Sequence, residues 1–368
     1  MVATRSAKGQ STLEPFLERG SRAYDVVSYS ELQGSLRRSL IRSATDIAEV
    51  ARLAESMIGD VRNLLKVKKA PAIDINSVRS GAVDAGVSGK NLLVGFCPVI
   101  VAVGSVFKGV EMKDSPLAAT TKLARIFRDE EEGRKLANLI GFYLQFELAR
   151  RLVEEGVDIL IIDGPLALSK VHYSTISRDF SKSFITTYQE TLNSLLALLS
   201  ESRDTGVLTV GIVKRVRSSI IQRLLSLDGK LNDSVIASIS LSVKEYTKPL
   251  PLPRDWSDIP GEAQWRGFWG QGLKPRAVFV KGNVKRVYRL EIPEYALPKL
   301  DYVVGALTSL ADPKSGFPIP LSHVDRLARI TEQTSNSAYL RLFKEVMLRL
   351  GPSAAQLLNI VTLQHGEV

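Results

Sequence analysis

The segment Val157-Asp158-Ile159-Leu160-Ile161-Ile162-Asp163 constrains the fold of this chain more than any other. Its apolar residues run on without alternating with polar ones, so it reads as a strand covered on both faces. A helix-period pattern precedes it over about 131–155 and another follows over about 180–202. A second apolar strand, 207–213, comes next. Strands joined through a helix of that length belong side by side and parallel. The expected class is α/β, a mixed sheet with helices on its faces.

The rest of the chain fits around that unit. Residues 1–30 are polar. Over 32–65 apolar residues recur at helical spacing (Leu40, Ile41, Ala44, Ile47, Ala48, Ala51), which predicts an amphipathic arm. Strand-like runs follow at about 79–85, 91–98 and 99–108, with 92–107 read as two buried strands joined by a tight turn. Helical patterns return within 217–245. A strand pair is expected at 276–281 and 285–292, then helices near 299–311, 321–333 and 336–350. The Pro-, Gly- and Trp-rich stretch 249–276 has little period and reads as a long loop or flap. The expected organisation is a tail and arm over 1–75, a main domain over 76–350 with a flap insertion at about 217–276, and a tail over 351–368.

Charge indicates the partner. The chain carries a net +10, and between residues 211 and 290 there are 15 Lys/Arg against 6 Asp/Glu. A basic excess so clustered points to a polyanion, nucleic acid first. With one cysteine, Cys97, and three histidines, neither a disulfide framework nor a Cys/His zinc site is expected. No secretory signal is read in residues 1–12, and 92–107, interrupted by Gly95, Pro98 and Gly104, is too short for a membrane span. A cytoplasmic protein without membrane association is expected.

Three acidic residues stand out by position. Asp84 ends the apolar run Gly81-Ala82-Val83 and precedes Ala85-Gly86, where a turn is expected. Glu147 borders the inward stripe of the helix 131–155, although pairing with Arg150 or Arg151 explains it equally well. Asp163 closes the buried strand, and sites in open α/β sheets lie beyond such strand ends. Buried carboxylates that converge raise one another's pKa unless divalent metal supplies the missing charge.

With its Asp on the first strand, Glu on the first helix and Asp on a later strand end, the chain resembles the RNase H-like nuclease fold. More specifically it resembles the NurA family of archaeal DNA end-resection nucleases. Six segments carry the likeness: Ala82-Val83-Asp84, Phe146-Glu147-Leu148-Ala149-Arg150, Ile161-Ile162-Asp163-Gly164-Pro165-Leu166, Val210-Gly211-Ile212-Val213-Lys214-Arg215, Tyr288-Arg289-Leu290-Glu291-Ile292-Pro293, and Phe317-Pro318-Ile319-Pro320-Leu321 leading to Asp325. Two departures stand against it. Ala85-Gly86 replaces the family's usual Gly-Ser, and Phe317 and Asp325 stand where Tyr and His are usual. Asp325 remains a fitting ligand, since hard cations favour oxygen. His323 is an alternative ligand.

The resemblance implies a metal-dependent DNA nuclease, with 5′–3′ exonuclease and single-strand endonuclease activity in end resection. Two Mn²⁺ or Mg²⁺ ions, on the order of 4 Å apart, would be held by Asp84, Glu147, Asp163 and Asp325. Lys214 would contact phosphate beside Arg215, with Glu291 in support. The implied partners are DNA (single strands and duplex ends), a hexameric HerA-type translocase ATPase, and a second copy of the chain as a homodimer. In the flap, Trp256, Trp265 and Trp269 interleave with Arg254, Arg266 and Phe268, a composition suited to stacking bases and pairing phosphates. Gly89-Lys90 looks like the end of a phosphate loop. The pattern, however, also needs Gly at 84 and Ser or Thr at 91, where Asp84 and Asn91 stand. The competing reading is a non-catalytic DNA-binding or clamp subunit on the same fold.

Overall fold

The computed structural model describes residues 29–120, 126–168, 182–216, 218–224, 232–252 and 271–351. The chain divides into two compact units, Met1–Met57 and Ile58–Val368. In the first, helix α1 (Leu32–Ser56) leaves Leu36, Leu40, Ile41 and Ile47 exposed. The arm expected over 32–65 is therefore divided. Its last part forms α2 (Ile58–Leu65) of the larger unit, with Val61 and Leu65 buried.

The larger unit is built on an 11-stranded sheet. Its strands are β1 (Lys68–Lys69), β2 (Arg79–Leu92), β3 (Gly95–Lys108), β4 (Glu111–Met112), β5 (Leu117–Thr120), β6 (Ile159–Asp163), β7 (Leu208–Val213), β8 (Glu245–Tyr246), β9 (Leu250–Pro251), β10 (Pro275–Asn283) and β11 (Arg286–Pro293). The order is β1-β8-β10-β11-β7-β6-β2-β3-β4, with β5 on β3 and β9 on β10. The parallel pairs are β2–β6 and β6–β7, at the centre, as the apolar runs of β6 and β7 require.

The three strand-like runs at 79–108 are two long strands forming a hairpin, not three. Asp84 is not followed by a turn. β2 continues through Gly86 and Gly89 to Leu92, paired with β3 throughout. Pro98 is tolerated because β5 covers only residues 101–104 of β3 and β4 only 107–108, so no ladder donor is needed there.

Seven helices complete this unit's described framework with α2: α3 (Glu130–Glu154), α4 (Lys182–Thr205), α5 (Ile220–Leu224), α6 (Asp233–Ser240), α7 (Leu300–Ser309), α8 (Ile319–Ala328) and α9 (Glu332–Leu350). Helix α3 starts where Asp129 accepts a hydrogen bond from the Glu132 N–H, and Glu130, Glu131 and Glu132 favour its positive end. On one sheet face Val83, Leu160 and Ile162 pack with Phe146 and Leu152 of α3 and Leu195 and Leu199 of α4. On the other Ala82, Ile161, Val210 and Ile212 pack with Val303 and Leu307 of α7 and Leu321 and Val324 of α8. Of the expected flap, 253–270 lies outside the described residues, and with it Arg254, Trp256, Trp265, Arg266, Phe268 and Trp269.

Candidate metal centre

Register places two carboxylates side by side. Val83 of β2 is opposite Ile162 of β6, so Asp84 and Asp163 occupy the next row, where these strands part. Side chains alternate along a strand. Asp84 and Asp163 therefore follow Ala82 and Ile161 onto the face covered by α7 and α8. Helix α8 brings Asp325 to the same place. Its approach depends on Gly86, where a Cβ would lie 1.9 Å from the Ala328 carbonyl oxygen. Gly86 is thus a contact glycine rather than a turn glycine. The sequence offered only its proximity to Asp84 as a signal.

Oxygens of Asp84, Asp163 and Asp325 lie within 4.8 Å of one another. Lys214, one residue past β7, enters the same group: its Nζ donates to Asp163 Oδ2 at 2.5 Å and to Asp325 Oδ1 at 2.6 Å. The ammonium lies 5.7 Å from the centroid of the Phe317 ring, which in turn packs on Tyr288. Asp84 Oδ1 accepts from the Ala85 N–H. Burial, then the charge of Asp163, push the Asp84 carboxyl up to about 8. Burial also raises Asp163, with Lys214 pulling the other way. For Lys214 burial acts downward, but Asp163 and Asp325 outweigh it and hold the ammonium charged.

Glu147 is not part of this group. Its Oε1 accepts from Ser194 Oγ of α4 at 2.6 Å, and Arg150, which also grips Glu201, donates to it. The reason is helix register. Residues two apart point about 200° apart, and the position turned toward the sheet belongs to Gln145, which is buried. Gln145 Nε2 donates to the main-chain oxygens of Val83 and Asp163, tying the two strands together. With Asn138, Phe142 and Val87 it lines a cavity of ≈ 320 Å³ that reaches Asp84 and Asp163. Gln145 escaped the sequence reading, although it falls in an inward row with Gly141, Leu148 and Leu152.

The remaining candidates are placed as follows. His323 packs edge-on against Phe107 and belongs to no metal-type group among the described residues. Glu291 is buried, pairs with Arg289, and accepts from the Ala167 N–H, so it pins the loop after Asp163 instead of joining the carboxylates. Arg215 is exposed beside Lys214. The segment 86–90 is strand, not a phosphate loop.

Three carboxylates from β2, β6 and α8 form a hard, all-oxygen donor set of the kind that Mn²⁺ or Mg²⁺ selects. Asp84 supports the fit, since a cation would hold as an anion a group that burial otherwise neutralises. A mixed α/β sheet carrying a carboxylate centre at the rim of its parallel strands defines the class. Within that class the chain belongs to the NurA domain family, which it matches over residues 79–330. Its fold is similar to that of the NurA nuclease from Sulfolobus solfataricus (15% identity, 86% of this chain and 98% of that chain, TM-score 0.61). It is also similar to NurA bound to dAMP and manganese (12%, 83% and 94%, 0.55) and to a further NurA structure (11%, 87% and 99%, 0.56). Comparison with curated protein sequences finds no match.

Proposed function

We propose that this protein is a divalent-metal-dependent nuclease acting on DNA, with Asp84, Asp163 and Asp325 as metal ligands. The observation that carries the reading is the convergence of these carboxylates from three elements within 4.8 Å. Mn²⁺ or Mg²⁺, two ions in the full reading, would activate water and neutralise charge on the phosphodiester. The chain's own groups do the rest. Asp84 and Asp163 are held in one row by β2 and β6, and Asp325 is fixed by the contact of α8 with Gly86. Lys214 supplies a positive charge for a phosphate oxygen, with Arg215 beside it on the surface.

Family membership and the net +10 charge support DNA ends and single strands as substrates, cut as a 5′–3′ exonuclease and single-strand endonuclease. They also support work in end resection as a homodimer with a HerA-type hexameric ATPase. The relative bound to dAMP and manganese fits this substrate class and metal. Among the described residues no helix is long and apolar enough to cross a membrane.

Two observations favour a second reading, a non-catalytic DNA-binding subunit. An ammonium already sits among the carboxylates, where the neutral Gln145 lines the cavity that reaches them. Cleavage of labelled single-stranded DNA with Mn²⁺ decides between the two. Activity in the wild type that is lost in both Asp84→Asn and Asp163→Asn supports the enzyme. Binding without cleavage in the wild type supports the subunit.

A further inference from the structure

We propose that Lys214 is the resident counter-ion of the carboxylate centre, and that divalent metal enters by exchange with its ammonium, releasing Lys214 toward the substrate phosphate. This rests on the reading of Asp84, Asp163 and Asp325 as a metal centre. The proposal starts from position. The ammonium bridges a strand carboxylate, Asp163, and a helix carboxylate, Asp325, at 2.5 and 2.6 Å, the span a bound cation would have to bridge. Asp84, within 4.8 Å of both, makes no bond to it. One positive charge thus serves three carboxyl groups gathered within 4.8 Å, and it binds two of them.

A dication placed among the same oxygens would repel the ammonium and compete for Asp163 and Asp325. The lysine stem is long and flexible, so exchange needs no movement of the backbone. The ring of Phe317, already 5.7 Å from Nζ, offers the displaced ammonium an aromatic face outside the carboxylate group. Phe317 has no hydroxyl to compete with the carboxylates for the ammonium. The exchange makes one residue serve twice: without metal Lys214 holds the carboxylates together, and with metal it becomes a free cation beside the reacting phosphate.

The test measures Mn²⁺ binding by the full-length protein, from the electron-paramagnetic-resonance signal of free Mn²⁺, in wild type and Lys214→Met. Removing the competing charge should tighten Mn²⁺ binding, on the order of tenfold, even as cleavage falls. Equal or weaker binding by a folded Lys214→Met protein would overturn the proposal. Should that variant not fold, acylation of wild-type lysines, read by mass spectrometry, gives the same answer. Saturating Mn²⁺ should raise labelling of Lys214 several-fold, and labelling that is unchanged or falls would overturn the exchange. If the wild type binds Mn²⁺ and the variant binds it more tightly but neither cleaves DNA, the nuclease reading fails and the exchange stands. If no form binds Mn²⁺, both fail.

Discussion

Two groups of side chains each gather carboxylates around one cation, and they differ in what carries them. Asp84, Asp163, Asp325 and Lys214 stand on two central strands, the end of a third and a helix laid over them. Glu147, Arg150 and Glu201 lie between two helices, α3 and α4, on the opposite side of the sheet. In the first group side-chain exposure is 15% at Asp163 and 24% at Lys214, rising to 37% only at the helix carboxylate Asp325, and three carboxyl groups share one ammonium. In the second the side chains are 34–39% exposed, and Arg150 meets Glu201 through two nitrogens while also reaching Glu147. Charge left unbalanced where water is excluded shifts protonation and invites a cation. The same charges at a wet helix pair are locally satisfied and weakly held.

The sharpest way to break the contrast is activity. Asp163→Asn should lower Mn²⁺-dependent cleavage of single-stranded DNA by about a thousandfold or more, because it removes an anionic oxygen from the centre. Glu147→Gln should stay within about threefold of wild type, because it changes a contact to Ser194 and Arg150 across the sheet from the centre. Single-turnover rates measure both. Equal losses would place α3's outer face in the site and dissolve the distinction.

The next effect is on the architecture that only the first group needs. Gly86→Ala sets a Cβ against the Ala328 carbonyl and should cost about 1–3 kcal/mol of stability, seen as a lowered midpoint in thermal unfolding. It should also weaken Mn²⁺ binding, since the same contact positions Asp325. Unchanged stability would mean that α8 shifts freely, and that the helix carboxylate is not fixed by this approach.

That glycine marks the limit of what the sequence makes legible. Asp84 and Asp163 can be found from it because each follows apolar strand residues, where a carboxylate is costly, and the parallel centre follows from two apolar strands joined through a helix. Asp325 and Lys214 emerge from resemblance, because their meeting depends on a helix and a strand that are far apart in the chain. Glu147 stands open in the sequence between the inward stripe and a pair with Arg150, and the structure shows the pair, because helix period alone does not say which flank meets the sheet. Gln145 lies two residues away, inside the buried row, and a glutamine there looks unremarkable until its amide is seen between the Val83 and Asp163 carbonyls. The close approach at Gly86 leaves no local trace, and Asp-Ala-Gly reads as a turn although it is mid-strand.

A subtler effect separates the groups by pH. The Asp84 carboxyl stands at about 8 in the folded protein against 3.8 for an unperturbed aspartate. Between those values the folded state binds more protons than the unfolded one, so stability without metal should fall as pH rises through that window. Asp84→Asn should flatten the slope, and saturating Mn²⁺ should offset the loss at the alkaline end. Denaturation midpoints from pH 5 to 9 in chelator give the comparison. A metal-free wild type whose pH profile matches that of Asp84→Asn would contradict a buried, unbalanced carboxylate.

The smallest effect belongs to the helix pair. A double-mutant cycle on Arg150→Met and Glu201→Gln should return a coupling of about 0.5–1 kcal/mol, since both side chains are over a third exposed. It should shrink as salt rises, because exposed charges are screened within about 10 Å at 0.1 M ionic strength. Cleavage rates at fixed Mn²⁺ should be unaltered in all three variants. A coupling several times larger, insensitive to salt, would show that Arg150 works in a dry environment like that of Lys214. The contrast between the two groups would then lie in their position in the fold and not in their solvation.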